Sequence, residues 1–223
     1  MRSLASLLFG GSCFLCRGAA GETLCSGCEA DLPRLGAAIC PRCALDSPSG
    51  ALCGRCLAEP PHYDATIAAL AYRFPADALV QALKFRGELA LAPLLGSFLG
   101  RAIASASPVD CVVPVPLSTR RLRERGFNQA VEIARALGRP MELALCTRET
   151  DAPPQTGLDR EERSRNVRGA FRCGRSLAGV RVAVVDDVMT TGATLDELAR
   201  TLKAAGASRV VNWVVCRTPE GHV

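Results

Sequence analysis

At 223 residues, with 48% hydrophobic and 22% charged positions, the chain is long enough for one full α/β domain plus a small module and has an ordinary globular composition. Its formal net charge of +5 is compatible with phosphate-rich ligands without specifying one, and only Lys84 and Lys203 among its 27 basic residues are lysines. No apolar run reaches 18 residues, which excludes a transmembrane helix.

The first nine residues, Met1 to Phe9, are too short for an export signal and run directly into Cys13, and the segment lacks the apolar residue expected three before a lipidated cysteine. The expectation is a short packing helix in a cytoplasmic protein. Of the 12 cysteines, eight fall before position 57, in four pairs: Cys13/Cys16, Cys25/Cys28, Cys40/Cys43 and Cys53/Cys56. A two-residue gap lets both sulfurs of a pair reach one metal, so these eight thiolates suffice for two tetrahedral structural zinc sites. Disulfides of a secreted domain and an iron–sulfur cluster are the competing readings. The pairs combine either sequentially or interleaved. Residues 1–60 carry five arginines against five acidic residues, which does not suit a DNA-binding finger. The spacers show little periodicity, so metal should supply most of the folding energy of this module, with a structural or docking role.

Pro60 and Pro61 close the module, and residues 61–223 form the second domain. Ile67 to Phe74 reads as a strand, Pro75 suits the first position of a helix, and Ala76 to Phe85 has helical spacing. Lys84 at its end is either a solvated cation or a phosphate contact. Leu89 to Ala106 reads as a packing helix. Asp110 to Leu117 is a buried strand, followed by Arg120, Arg121, Arg123 and Arg125 in what reads as a loop. That places four bidentate cations beyond a strand's carboxyl end, where open α/β sheets bind ligands. The alternative is a solvated basic loop. A helix follows from Gln129.

Met141 to Thr147 reads as a strand. Residues 148–158 form a Pro/Gly loop, and Asp159 to Arg168 a charged helix. The segment is either a lid or a surface helix with a Glu161–Arg165 pair. Ala170 to Cys173 reads as a strand returning to the sheet. Cys111, Cys146, Cys173 and Cys216 sit within or at the ends of strands and read as buried small hydrophobes. Neither His62 nor His222 has a recognisable catalytic context.

The most informative stretch is Val182 to Thr194. Val182, Ala183, Val184 and Val185 read as a buried parallel strand, ending in Asp186 and Asp187. The loop Val188, Met189, Thr190, Thr191, Gly192, Ala193 and Thr194 then opens a helix through Leu202. Loop amides, helix dipole and threonine hydroxyls make an anion site, while the carboxylates suit sugar hydroxyls or a magnesium ion. The combination predicts a phosphorylated sugar. Ser208 to Arg217 reads as the last strand.

The string from Val184 to Thr194 resembles the phosphoribosyl-pyrophosphate (PRPP) loop of type I phosphoribosyltransferases. Val113-Pro114-Val115-Pro116-Leu117, followed by Arg123-Glu124-Arg125-Gly126-Phe127-Asn128-Gln129, resembles the ComF family of competence-associated proteins. Gln155, Leu158, Arg163, Asn166, Val167, Ala170 and Phe171 continue that pattern, although Ala152 stands where the family usually has a threonine. The resemblance implies a type I phosphoribosyltransferase fold, an α/β sheet flanked by helices, behind a zinc module. It implies PRPP with magnesium as ligand, catalytic carboxylates at Asp186 and Asp187, and Lys84 and the four arginines around the pyrophosphate. Gln155, Arg163 and Asn166 belong to the flap. Activity is then either phosphoribosyl transfer to an acceptor the sequence does not identify, or non-enzymatic binding of single-stranded DNA. The family's link to DNA uptake makes single-stranded DNA, a DNA-uptake helicase and other competence proteins the expected macromolecular partners.

Overall fold

A computed structural model describes residues 11–149 and 167–220. The expected N-terminal helix and the flap residues Gln155, Arg163 and Asn166 lie outside the described residues. The chain begins with a two-residue hairpin, β1 (Gly11–Ser12) and β2 (Ala19–Ala20), then short helices α1 (Ser26–Ala30) and α2 (Gly54–Ala58). β3 (Ala65–Ala71), α3 (Ala76–Arg86), α4 (Leu91–Ala102), β4 (Cys111–Pro114), α5 (Thr119–Arg125) and α6 (Gln129–Arg135) follow. After them come β5 (Cys146–Arg148), β6 (Phe171–Cys173), β7 (Arg181–Met189), α7 (Ala193–Ala204) and β8 (Arg209–Arg217). No helix among the described residues is long and apolar enough to cross a membrane.

The central sheet has four parallel strands in the order β3-β8-β7-β4. Both faces are covered, so its strands are largely apolar and successive residues alternate between two cores. Ala183, Val185, Val211, Trp213 and Val215 face α3, α4 and α6. Val182, Val184, Val210 and Val214 face Leu195, Leu198, Ala199 and Leu202 of α7. This is the helix-flanked sheet that the phosphoribosyltransferase resemblance implies.

The cysteine module straddles the β3 edge. Cys13, Leu24 and Leu32 pack into the first core, while Cys40, Cys43, Leu45 and Cys56 pack into the second. Between them the chain runs along the edge strand, where Thr66 N–H donates to the Pro41 carbonyl at 3.2 Å and Ala71 N–H to that of Pro33 at 2.9 Å. Outward edge amides that would otherwise stay open to another chain are thereby paired.

Several local expectations change. Residues 119–125 are helical rather than a loop: Ser118 caps the start, its Oγ accepting from Arg121 N–H at 3.4 Å, and Gly126 ends the helix at φ 81°. The expected strand from Met141 contracts to β5, with Met141 making a single bridge to Val112. β6 pairs antiparallel with β5, outside the main sheet. Pro75 stands one position before α3 rather than within its first turn.

Gly96 is where α4 meets the end of α6. A Cβ there would lie 2.5 Å from Ala136 Cβ and 2.9 Å from the Ile133 carbonyl oxygen. Gly96→Ala should therefore destabilise the fold by about 1–3 kcal/mol through overpacking. Thermal unfolding checks this; an unchanged midpoint would mean that the two helices separate freely.

Candidate functional site

The carboxyl ends of β7 and β4 meet above the sheet, and strand alternation separates the two carboxylates of β7. Asp187 turns toward α3 and is 2% exposed. Its Oδ2 lies 2.7 Å from Lys84 Nζ, and its Oδ1 accepts from Val188 N–H at 2.8 Å. Asp186 is partly exposed and turns to the loop side, where its Oδ1 accepts from Asp187 N–H at 2.9 Å. Burial and the adjacent Asp187 charge push the Asp186 carboxyl well above its ordinary range. Burial penalises Asp187 too, but the Lys84 ammonium outweighs it and holds that carboxyl below its ordinary value. Lys84 is thus a buried ion-pair partner rather than a solvated cation.

The loop between β7 and α7 encloses a small cavity of ≈ 40 Å³, lined by Asp186 and residues 188–195. Gly192 takes φ 89° and starts α7 without a side-chain cap. A Cβ on it would come within 2.8 Å of Met189 Cε, so the turn is restricted to glycine by both backbone and packing. The N–H groups of Thr191 and Gly192 meet no acceptor among the described residues. Donors without partners at the positive end of a helix suit a bound anion.

Beside this cradle a cleft of ≈ 230 Å³ is lined by Asp186, Asp187, Lys84, Arg121, Arg148 and Gln129, with Thr190 and Thr194 at the cradle end. It continues into an open cavity of ≈ 560 Å³ bounded by Phe85, Arg121, Arg125 and Phe127. Helical spacing explains why only some of the four arginines contribute. Arg121 and Arg125, four apart, share the cleft face of α5. Arg120 is taken up by Glu124 at 3.2 Å, and neither Arg120 nor Arg123 lines the cleft or the cavity. Arg125 lies over the Phe85 ring at 5.6 Å and donates to Gln129 Oε1.

The eight N-terminal cysteines form two groups in sequential pairing: Cys13, Cys16, Cys25 and Cys28, and Cys40, Cys43, Cys53 and Cys56. Within each, all ligand atoms lie within 4.8 Å of one another. Backbone amides point at sulfur, Cys28 N–H to Cys25 Sγ at 3.5 Å and Cys53 N–H to Cys40 Sγ at 3.4 Å. Amides directed at Cys13, from Cys16 and Cys25, lower its thiol to about 6. Four sulfurs converging on one point, from two pairs with two-residue gaps, fit structural zinc.

Sequence reasoning missed Tyr72, Arg148 and Gln129 in the cleft, and Arg217, which is 1% exposed at the end of β8. Arg148 is visible in the sequence only as the start of a loop, and Gln129 only as the end of the ComF-like motif and the start of a helix. An arginine closing an otherwise apolar strand was the available signal for Arg217. His62, for which no role was expected, receives α7: Asp196 Oδ1 accepts from His62 N–H at 2.6 Å.

Residues 4–57 match the family model of the double zinc ribbon domain, and residues 122–223 that of the phosphoribosyl transferase domain. DNA utilization protein YhgH of Salmonella typhi is 36% identical over 222 residues, covering 93% of this chain and 97% of its own. Competence protein F of Haemophilus influenzae is 30% identical over 222 residues, covering 92% and 96%. Among solved structures, purine phosphoribosyltransferase from Pyrococcus horikoshii Ot3 aligns at 18% identity with a TM-score of 0.32, over 69% of this chain and 88% of that one. The allosteric regulatory enzyme of purine biosynthesis aligns at 26% identity with a TM-score of 0.37, over 55% of this chain and 25% of that one.

Lys84→Met would leave Asp187 buried without its cation and should cost about 3–5 kcal/mol. Adding Asp187→Asn should recover part of that loss. Denaturant unfolding of the single and double variants checks the coupling; strictly additive losses would mean that the pair does not interact.

Proposed function

The chain belongs to the ComF family of competence and DNA-utilization proteins, and we propose that its phosphoribosyltransferase domain binds PRPP with magnesium and uses it as a phosphoribosyl donor. The observation that carries this reading is the cradle that holds Asp186 and the amides of Thr191 and Gly192, which meet no acceptor among the described residues. The ribose 5-phosphate sits on those amides and on the loop hydroxyls. The ribose hydroxyls donate to Asp186, the carboxylate left free by the Lys84–Asp187 pair. Asp187 acts by fixing Lys84 and the end of β7. The pyrophosphate extends into the cleft toward Arg121, while Arg120 and Arg123 take no part.

In this scheme the bond between C1 of the ribose and the pyrophosphate oxygen breaks, and pyrophosphate leaves with the bonding electrons. The acceptor's nucleophilic atom forms the new bond to C1. The protein holds the phosphate and sugar in register and offsets the charge growing on the leaving group. A single partly exposed carboxylate beside substrate oxygens fits magnesium, which would share that neutralising task. The two tetracysteine groups hold zinc as structural ions.

A second reading rests on a different feature. Phe85 is 74% exposed, and with Arg121 and Arg125 it borders the ≈ 560 Å³ cavity. An exposed ring beside arginines suits a stacked base and its phosphate, so this face binds single-stranded DNA while PRPP acts as a regulatory ligand. The relatives' names, DNA utilization and competence protein, accord with this alternative.

Calorimetric titration with PRPP should show magnesium-dependent binding, weakened roughly ten- to hundredfold by Asp186→Asn, the scale of a lost charged hydrogen bond. Unchanged affinity in that variant would remove the carboxylate from the site. Metal analysis should find two zinc ions per chain. Pyrophosphate release in the presence of an acceptor identifies a transferase. If single-stranded DNA binds instead without release, its affinity should fall steeply with salt; binding indifferent to salt would overturn the second reading.

A further inference from the structure

Arg217 is almost fully enclosed, and its guanidinium is held chiefly by backbone oxygens, with the Cys43 side chain also beside it. Nε donates to the Cys43 carbonyl at 2.8 Å. Nη1 reaches the carbonyls of Met189 at 2.8 Å, Thr218 at 3.0 Å, and Thr190. One side of the fork therefore holds the second tetracysteine group and the other the start of the loop after β7.

Peptide geometry gives these bonds a consequence. In a trans peptide the C=O of one residue and the N–H of the next point in opposite directions. Drawing the Thr190 carbonyl toward Arg217 therefore turns the Thr191 N–H away from it, to the side of the cradle cavity. Thr218 N–H also donates to the Met189 carbonyl, at 3.0 Å, so the end of β8 clamps the loop from two adjacent residues. A second brace comes from Tyr63, just beyond the module. Its side chain packs in one core with Cys40, Cys43 and Cys56, and its hydroxyl would lie 3.3 Å from a Cβ placed on Gly192.

We propose that Arg217 is a positioning residue that sets the direction of the Thr191 amide, steadies the loop through Gly192, and makes the second tetracysteine group part of the cradle's frame. Loss of metal from Cys40, Cys43, Cys53 and Cys56 then loosens the loop, whereas loss from Cys13, Cys16, Cys25 and Cys28 does not. The value of this arrangement for ligand binding rests on the phosphate reading above, but the mechanical coupling does not. A lysine cannot replace Arg217, because one ammonium lacks the planar fork that reaches both sides at once.

The test uses the full zinc-loaded chain and its Arg217→Lys variant. Amide order parameters from NMR should fall at Thr191 and Gly192 from about 0.85 to below about 0.6 in the variant, while Val184 in β7 stays rigid. Alkylation followed by mass spectrometry should show the second cysteine group reacting several-fold faster and the first group unchanged. Equal changes in both groups and throughout β7 would reduce Arg217 to a core residue and overturn the proposal. So would no change at Thr191 and Gly192.

Should the variant not fold, a chelator titration of the wild-type chain answers the question. Metal loss from the second group must lower the Thr191 and Gly192 order parameters before that of Val184; simultaneous or reversed loss overturns the coupling. PRPP titration of the wild type separates the two ideas. No PRPP binding with the coupling intact sinks the phosphate reading alone, and PRPP binding without the coupling sinks this one alone.

Discussion

Two adjacent carboxylates at the end of a buried strand repel one another and resist desolvation, and the Lys84–Asp187 ion pair is what makes them tolerable. The 2.7 Å contact ties α3 to β7 from across the sheet. Because neighbouring strand residues face opposite ways, the same pair that neutralises Asp187 leaves Asp186 on the cradle side. One carboxylate is bound up in an ion pair, and the other stays partly exposed at the cavity. The positions of Arg121 and the loop follow from that division, since both border the carboxylate that remains available.

The cysteine module is similarly committed to the sheet. It has little apolar material of its own, and what it has is shared between the two cores on either face of β3. Its backbone pairs the outer edge of β3, and its second group meets the guanidinium that holds the β7–α7 loop. Metal binding in such a module is folding free energy, and here that free energy supports the edge of the sheet and the rear of the cradle together. A double zinc ribbon attached to this domain thus has a mechanical reason to be there, separate from any partner it meets.

Much of this was legible in the sequence because it depends on local pattern. Four paired cysteines and a valine-rich strand carry their meaning within a few residues, and the tetracysteine groups and the parallel sheet bear that out. The arginine run suggests a loop by its charge, but its boundaries specify a helix: Ser118 and Gly126 are ordinary helix signals. Read as a helix, the run divides at once into cleft-facing Arg121 and Arg125 and Glu124-paired Arg120. What no local pattern reveals is a contact between distant segments. Lys84 with Asp187, and Arg217 with Cys43, join residues more than a hundred positions apart, and the sequence alone left Lys84 undecided and Arg217 unnoticed.

The most direct measurement of the central claim is a crystal structure of the protein with PRPP and magnesium bound. The account requires the 5-phosphate on the Thr191 and Gly192 amides, the ribose hydroxyls against Asp186, and Lys84 still paired with Asp187. A 5-phosphate seated on Arg121 and Arg125, with the β7–α7 loop making no ligand contact, would contradict it.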